Sequence, residues 1–106
     1  MNALIVLDVQ KGILKKKDFS ETLNNIKILI DDFKKKSDIV ILTKHLSDDH
    51  DSPYFKGSGD AEIWDEIQGL GDYTIEKTSC NPFYKTNLAQ VLKDNNVYKV
   101  YICGFN

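Results

Sequence analysis

The sequence contains no arginine, and all 14 of its basic residues are lysines. The planar guanidinium of arginine is the group best suited to bidentate recognition of phosphates and base edges. With 16 acidic residues the formal net charge is -2, so the chain also lacks the basic surface of a nucleic-acid-binding protein. Together these features predict that nucleic acid is not a partner.

Long apolar runs and cysteines are also scarce. No apolar segment approaches the roughly 20 residues needed to span a membrane, and the first residues are typical of a strand rather than a signal peptide. The two cysteines, Cys80 and Cys103, are too few for a disulfide framework. We therefore expect no membrane partner, free thiols and a cytoplasmic location.

The length of 106 residues allows one small domain. An apolar fraction of 42% and a charged fraction of 28% are those of an ordinary globular protein. Because the sequence shows no internal repeat, low-complexity tract or linker, residues 1–106 are predicted to form a single domain.

The segment Ala-Leu-Ile-Val-Leu-Asp-Val-Gln at residues 3–10 is the strongest local signal. Its five consecutive apolar residues predict a strand buried on both faces, as found in parallel sheets. Asp8 follows at the carboxyl end of this strand, the edge at which open α/β sheets bind ligands. Asp8 is therefore either a cap for the following turn or a working group, and its position alone favours the cap by roughly two to one.

Apolar periodicity predicts the other elements. Ser20, a preferred N-cap type, begins a helix that ends at the lysines 34–36. A second buried strand is predicted at residues 38–43 and further strands at 73–76 and 99–103. Helices are predicted at 61–67 and 86–95, and a loop at 9–19. This alternation of strands and helices predicts an α/β fold with a parallel sheet.

Two ionisable residues lie at predicted strand ends. Asp8 follows the first strand and Lys77 follows the third. Since the carboxyl ends of parallel strands meet at one edge, the two side chains are expected to converge on one crevice. A buried Asp–Lys pair keeps both groups charged and tunes a third group nearby. A purely structural salt bridge is an equally weighted alternative on spacing alone.

Five segments of the chain, in order, resemble those of the isochorismatase-like cysteine hydrolases, the isochorismatase/nicotinamidase superfamily. The strand before Asp8 is similar to the family's opening strand, and the segment around Lys77 is similar to the one that carries its lysine. The matching segments are residues 3–10, 41–45, 55–63, 76–88 and 100–106. The resemblance implies a three-layer α/β/α Rossmann-like fold with a parallel sheet of strand order 3-2-1-4, truncated relative to the family's six strands.

The resemblance also implies a chemistry. Family members hydrolyse amide C–N bonds with an Asp–Lys–Cys triad, or the vinyl ether of isochorismate by acid chemistry. Asp8 matches the general base toward the thiol, and Lys77 matches the lysine that orients it and favours the anionic forms. The family's cysteine lies a few residues beyond the glycine matched by Gly104, a position that these 106 residues do not include. We therefore expect the chain as given to be inactive and incomplete at its C-terminus.

Neither cysteine of the chain matches that nucleophile. Cys103 lies within the predicted fourth strand and is expected to be a core thiol, whereas Cys80 is expected to line the pocket. No metal or other cofactor is expected. The nicotinamidase branch binds a metal through an aspartate, a histidine two residues on and a later histidine, and His45 lies about where that aspartate would be. The acidic residues that follow His45 are therefore interpreted as a solvated loop.

The expected substrate is a small planar molecule. Candidates for the pocket lining are Phe19, His45, Phe55, Trp64, Phe83 and Tyr84. An alternative is a non-catalytic remnant that serves as a binding or self-assembly module, and the exposed edge of the fourth strand predicts a homo-oligomer. A receiver-type or phosphate-binding domain is disfavoured because a Gly-rich phosphate loop and an acid pair are lacking.

Overall fold

The computed structural model describes residues 1–105, so Asn106, the last residue of the predicted domain, lies outside the described residues. The elements are β1 (Asn2–Leu7), α1 (Lys11–Leu14), α2 (Ser20–Lys35), β2 (Ile39–His45), a 3-10 turn (Gly59–Ala61), β3 (Tyr73–Lys77), α3 (Leu88–Asp94) and β4 (Lys99–Gly104). Within these residues no helix is both long enough and apolar enough to cross a membrane.

The four strands form one parallel sheet in the order β3-β2-β1-β4, which confirms the predicted strand order. Val6 of β1 is in register with Leu42 of β2 on one side and with Cys103 of β4 on the other. Because all the strands run the same way, their carboxyl ends lie at one edge, and the polar residues that follow them are brought together there.

Helices cover both faces of the sheet at its central strands β1 and β2, as the predicted three-layer α/β/α architecture requires. Alternate residues of a strand point to opposite faces, so a continuous apolar strand supplies two cores. One core joins β1 and β2 to α2, through Leu4, Val6, Val40, Leu42, Ile26, Ile30 and Phe33. The other joins three strands to α3, through Ala3, Ile5, Ile39, Ile41, Ile75, Leu88 and Val91.

Three local predictions are wrong. The predicted helix at 61–67 is absent: a 3-10 turn ends at Ala61, and the backbone N–H of Trp64 donates to the Val9 carbonyl at 2.9 Å. That bond ties the segment to the exit of β1, so it cannot complete a helix. The predicted loop at 9–19 contains the short helix α1. Ser20 is the first residue of α2 rather than its cap, and the Asp18 carboxylate accepts from its backbone N–H at 2.9 Å.

Strand β4 forms one edge of the sheet and is the least covered strand of residues 1–105. Ile102 is 63% exposed, and Val100 and Tyr101 are 39% and 41% exposed. Tyr98, which directly precedes β4, is 78% exposed. Tyr101 makes an edge-on contact with Phe33 of α2, with ring centroids 5.4 Å apart. Apolar side chains on both faces of β4 thus remain accessible next to an unpaired backbone edge.

The ends of β1 and β4 approach each other very closely at Gly104. Gly104 has a φ of +111°, and a Cβ placed there would lie 2.3 Å from the carbonyl oxygen of Leu7. The next residue, Phe105, donates its backbone N–H to that same oxygen at 2.8 Å. Only glycine satisfies both the backbone conformation and the close approach.

We predict that Gly104→Ala lowers the free energy of unfolding by at least about 2 kcal/mol, because it adds a steric clash to an unfavourable φ. Gly69→Ala is the matched control, since a Cβ at Gly69 would have no atom within 4 Å and the residue has no positive φ. Urea unfolding followed by fluorescence of Trp64, the single tryptophan, measures both. Equal losses in the free energy of unfolding for the two substitutions would contradict a special role of Gly104.

Candidate active site

Asp8 directly follows β1 and turns its side chain into the carboxyl edge of the sheet. Its φ is +56°, a left-handed conformation that aspartate tolerates better than most residues. Thr43 of β2 holds it there: the Thr43 hydroxyl accepts the Asp8 backbone N–H at 3.1 Å and donates to Asp8 Oδ1 at 2.6 Å. A strained backbone at a buried carboxylate is a common feature of functional sites.

Lys77 ends β3 and reaches across β2 to Asp8. Its Nζ lies 3.0 Å from Asp8 Oδ2, and the two side chains are only 2% and 7% exposed. The structure thus brings together the two residues whose convergence follows from the strand order. Because both groups are removed from water, each needs the charge of the other, and together they add no net charge to the site.

The remaining protons of the Lys77 ammonium are also accepted. His45 Nδ1 and the Ser79 carbonyl oxygen each lie 3.2 Å from Lys77 Nζ. His45 and Lys77 are register partners on β2 and β3, so their side chains point to the same face of the sheet. An ammonium is only a donor, so His45 Nδ1 is the unprotonated nitrogen and the neutral ring carries its proton on Nε2.

Burial lowers the pKa of His45, and the positive charge of Lys77 lowers it further. The negative charge of Asp8 and the Ser79 carbonyl act in the opposite direction but do not reverse the shift. The imidazole is therefore neutral at pH 7, in agreement with the role of Nδ1 as an acceptor.

A cavity of about 100 Å³ opens onto this pair and is lined by Leu7, Asp8, His45, Tyr54, Lys77 and Cys80. Burial raises the pKa of the Tyr54 hydroxyl, with smaller contributions from Asp8 and Cys80, so the phenol is neutral. The aromatic ring of Tyr54 meets the His45 ring edge-on, with centroids 4.9 Å apart. The cavity is thus mostly apolar, with one compensated ion pair at its base.

Of the six predicted pocket residues, His45 lines this cavity and the other five lie elsewhere in the described part of the chain. Phe19 packs against Phe105, with ring centroids 4.8 Å apart, and Phe55 packs against His50, with ring centroids 4.2 Å apart. Trp64 lines a separate cavity near α2, beneath Lys27. Phe83 and Tyr84 are about half exposed.

The sequence did not single out four residues of the site, which are Leu7, Gln10, Thr43 and Tyr54. Gln10 is fully buried, and its side-chain amide brackets the backbone of His45: Nε2 donates to the His45 carbonyl and Oε1 accepts from the His45 N–H, both at 2.9 Å. Nε2 also donates to the Ala61 carbonyl at 2.7 Å. The available signal for Gln10 was an amide side chain three residues beyond the end of a buried strand.

The cysteines differ in their surroundings. Cys103 is a β4 residue, and burial raises the pKa of its thiol to about 11, so it remains protonated at neutral pH. Cys80 is exposed and lines the cavity beside the Asp8–Lys77 pair. Among residues 1–105, no three His, Cys, Asp or Glu side chains come close enough together to hold a metal ion.

Fold and site together define an α/β domain of the Rossmann-like type, with a buried acid–lysine pair in a small cavity at the carboxyl ends of its strands. The family model of the isochorismatase domain matches residues 2–106. The chain therefore belongs to the isochorismatase family.

Individual relatives agree with that assignment. The uncharacterised isochorismatase family protein YwoC of Bacillus subtilis strain 168 is 30% identical over an alignment of 117 positions that covers 96% of this chain and 61% of the relative. A suggested isochorismatase from Burkholderia xenovorans LB400 has a TM-score of 0.90 at 23% identity, over 98% of this chain and 53% of that one. N-carbamoylsarcosine amidase from Thermoplasma acidophilum has a TM-score of 0.84 at 25% identity, and the match covers 97% of this chain and 66% of the amidase.

The match covers only part of the length of these relatives. The chain spans 61% of the length of the curated relative and 53% of the Burkholderia protein.

We predict that Asp8→Asn lowers the free energy of unfolding at pH 7 by about 3–5 kcal/mol, because it leaves the Lys77 ammonium buried without a counter-charge. Asparagine tolerates the left-handed φ, so the loss reports the charge rather than the backbone. Asp31→Asn on the surface of α2, where Asp31 pairs with Lys35, is the control and should change stability little. Equal urea midpoints for both variants would show that the buried pair is not needed for folding.

Proposed function

We propose that this chain provides the acid–lysine part of a cysteine hydrolase that cleaves the C–N bond of a small, uncharged, planar amide. The observation that carries the proposal is the buried Asp8–Lys77 pair, 3.0 Å apart at the base of the cavity. Membership of the isochorismatase family and the 25% identity to an amidase support it.

In the proposed reaction Asp8 is the general base. It takes the proton of a cysteine thiol, and the thiolate attacks the amide carbonyl carbon. The protonated Asp8 then gives this proton to the leaving amine as the C–N bond breaks, and water hydrolyses the thioester. Lys77 keeps Asp8 ionised before the attack. By the family resemblance the thiol would lie a few residues beyond Gly104, so these 106 residues are proposed to hold the base and the lysine but not the nucleophile.

The charge of the cavity favours an amide over the vinyl ether of a dicarboxylate. Among the described residues that line the cavity, Lys77 is the only cation, and its three protons are accepted by Asp8, His45 and Ser79. A substrate carboxylate would therefore meet no uncompensated positive charge from these residues and would lie near Asp8. A neutral amide carries no such cost.

We also propose a reducing, cytoplasmic environment, because an enzyme that depends on a thiolate is inactivated by its oxidation. Both Cys80 and Cys103 are free thiols in the described residues, in agreement with that environment.

The test is ammonia or amine release from a panel of amides that includes the uncharged nicotinamide and the carboxylate-bearing N-carbamoylsarcosine, of which we expect the uncharged amide to be preferred. The protein isolated from its natural source is first weighed by mass spectrometry against the 12.1 kDa of this sequence. We expect a heavier protein to hydrolyse an amide and the 106-residue chain to be inactive. In the heavier protein, Asp8→Asn and Lys77→Met should lower kcat/KM by about 100-fold or more.

Asp31→Asn is again the control and should retain the activity. A heavier natural protein with no activity on any amide or vinyl ether would overturn the hydrolase proposal. Hydrolysis by the 106-residue chain itself would instead contradict the assignment of the nucleophile to a position beyond Gly104.

A second candidate function is favoured by the exposed surface of β4. A non-catalytic binding or self-assembly module would use this edge, and a second copy of the chain would complete the sheet by pairing with the same strand. The exposed side chains of Val100, Tyr101 and Ile102 would then supply the apolar contacts.

For that candidate, sedimentation of the 106-residue chain should show a dimer or larger species that Ile102→Lys dissociates. A charge at the 63% exposed Ile102 would oppose burial between copies. Ile28→Lys is the matched control, because Ile28 is 58% exposed on α2, away from β4. A monomer at high concentration would rule out self-assembly.

A further inference from the structure

We propose that His45 is a positioning residue for Lys77: its neutral imidazole accepts one proton of the ammonium and keeps it directed at Asp8, and protonation of His45 disables the pair. The consequence for catalysis rests on the proposed hydrolase function. The contact between His45 and Lys77 does not depend on that function, so the contact and its effect on catalysis have separate tests.

The orientation of His45 is fixed independently of Lys77. The Gln10 side-chain amide hydrogen-bonds to both the backbone N–H and the carbonyl of His45 at 2.9 Å, as the backbone of a neighbouring strand would, and so fixes the position of His45. Tyr54 packs against the ring edge-on, with an interplanar angle of 71°. The imidazole is therefore presented to Lys77 in one orientation, with Nδ1 3.2 Å from Nζ.

Protonation of His45 would remove an acceptor and add a charge at the same position. Nδ1 would become a donor facing a donor, and one ammonium proton would lose its partner in a site where Lys77 is 2% exposed. Two cations would then share the single carboxylate of Asp8. Lys77 would have to move away from Nδ1, and with it from its present contact with Asp8.

Several groups face the imidazole from the elements around it. Lys77 and the Ser79 carbonyl approach from β3 and its exit, Asp8 from the exit of β1, and Tyr54 and Cys80 from the loops across the cavity. On the other side, His45 lines a second cavity with Asp48 and Lys56, which pair with each other at 2.7 Å and so compensate each other's charge. Lys77 is thus the charge that most strongly opposes protonation of the ring.

The first measurement is independent of catalysis. The chain has only two histidines, His45 and His50, so their ring nitrogens are readily assigned by 15N NMR. At pH 7 we expect His45 to be neutral with its proton on Nε2, and Lys77→Met to raise its titration midpoint, because the opposing charge is lost. His50, which lies against Phe55, is the internal reference. A proton on Nδ1, or a charged His45 at pH 7, would overturn the proposal.

The second measurement uses three variants of the active protein. His45→Asn keeps an acceptor near the position of Nδ1 but does not titrate, and His45→Phe keeps a ring against Tyr54 but accepts nothing. We expect His45→Asn to retain kcat/KM at neutral pH within about threefold and to extend activity to lower pH, and His45→Phe to lose about tenfold or more at all pH values. His50→Asn is the control and should leave the pH profile unchanged.

The outcomes separate the two proposals. If His45→Asn and His45→Phe lose activity equally and the acid limb of the pH profile stays in place, His45 is only structural and the inference fails. If no amide or vinyl ether is hydrolysed, the proposed function fails, and the NMR tautomer and the effect of Lys77→Met alone decide whether His45 positions Lys77.

Discussion

The contact between Asp8 and Lys77 is the interaction on which the rest of this structure depends. Removing two charges from water costs several kcal/mol for each ion, and a single pair at 3.0 Å recovers that cost only when the other polar atoms are also satisfied. The Thr43 hydroxyl donates a hydrogen bond to the other carboxylate oxygen of Asp8, and His45 and Ser79 accept the other protons of Lys77. The pair therefore requires β1, β2 and β3 to lie in one register.

That requirement explains why so much polar structure lies at one edge of an otherwise apolar sheet. Gln10 is fully buried and uses both ends of its amide, which ties the exit of β1 to the backbone of His45 and to Ala61. A half-satisfied network of this kind would be worse than an apolar core. The network thus stabilises one arrangement of the loops and also fixes the geometry of the candidate site.

The fold does not by itself define an activity. Similar α/β folds carry unrelated chemistry, so the ion pair, the cavity and the family match, rather than the fold, support the proposed hydrolysis. Within the proposed function, the compensated charge of the cavity favours an uncharged amide as substrate. The exposed face of β4 supports only the separate proposal of self-association, which uses none of these residues.

The sequence by itself determined the strands and the two ionic residues, and its resemblance to a known family implied the strand order. Runs of branched apolar residues define buried strands locally, and Asp8 and Lys77 are recognisable because each lies at a strand end. Tertiary structure decided which side chains surround the pair. Tyr54 rather than Phe55 contacts His45, and Trp64 lines another cavity. The segment after Ala61 is not helical because it bonds to Val9, just beyond β1. These contacts join residues distant in sequence, so local propensity and periodicity carry no information about them.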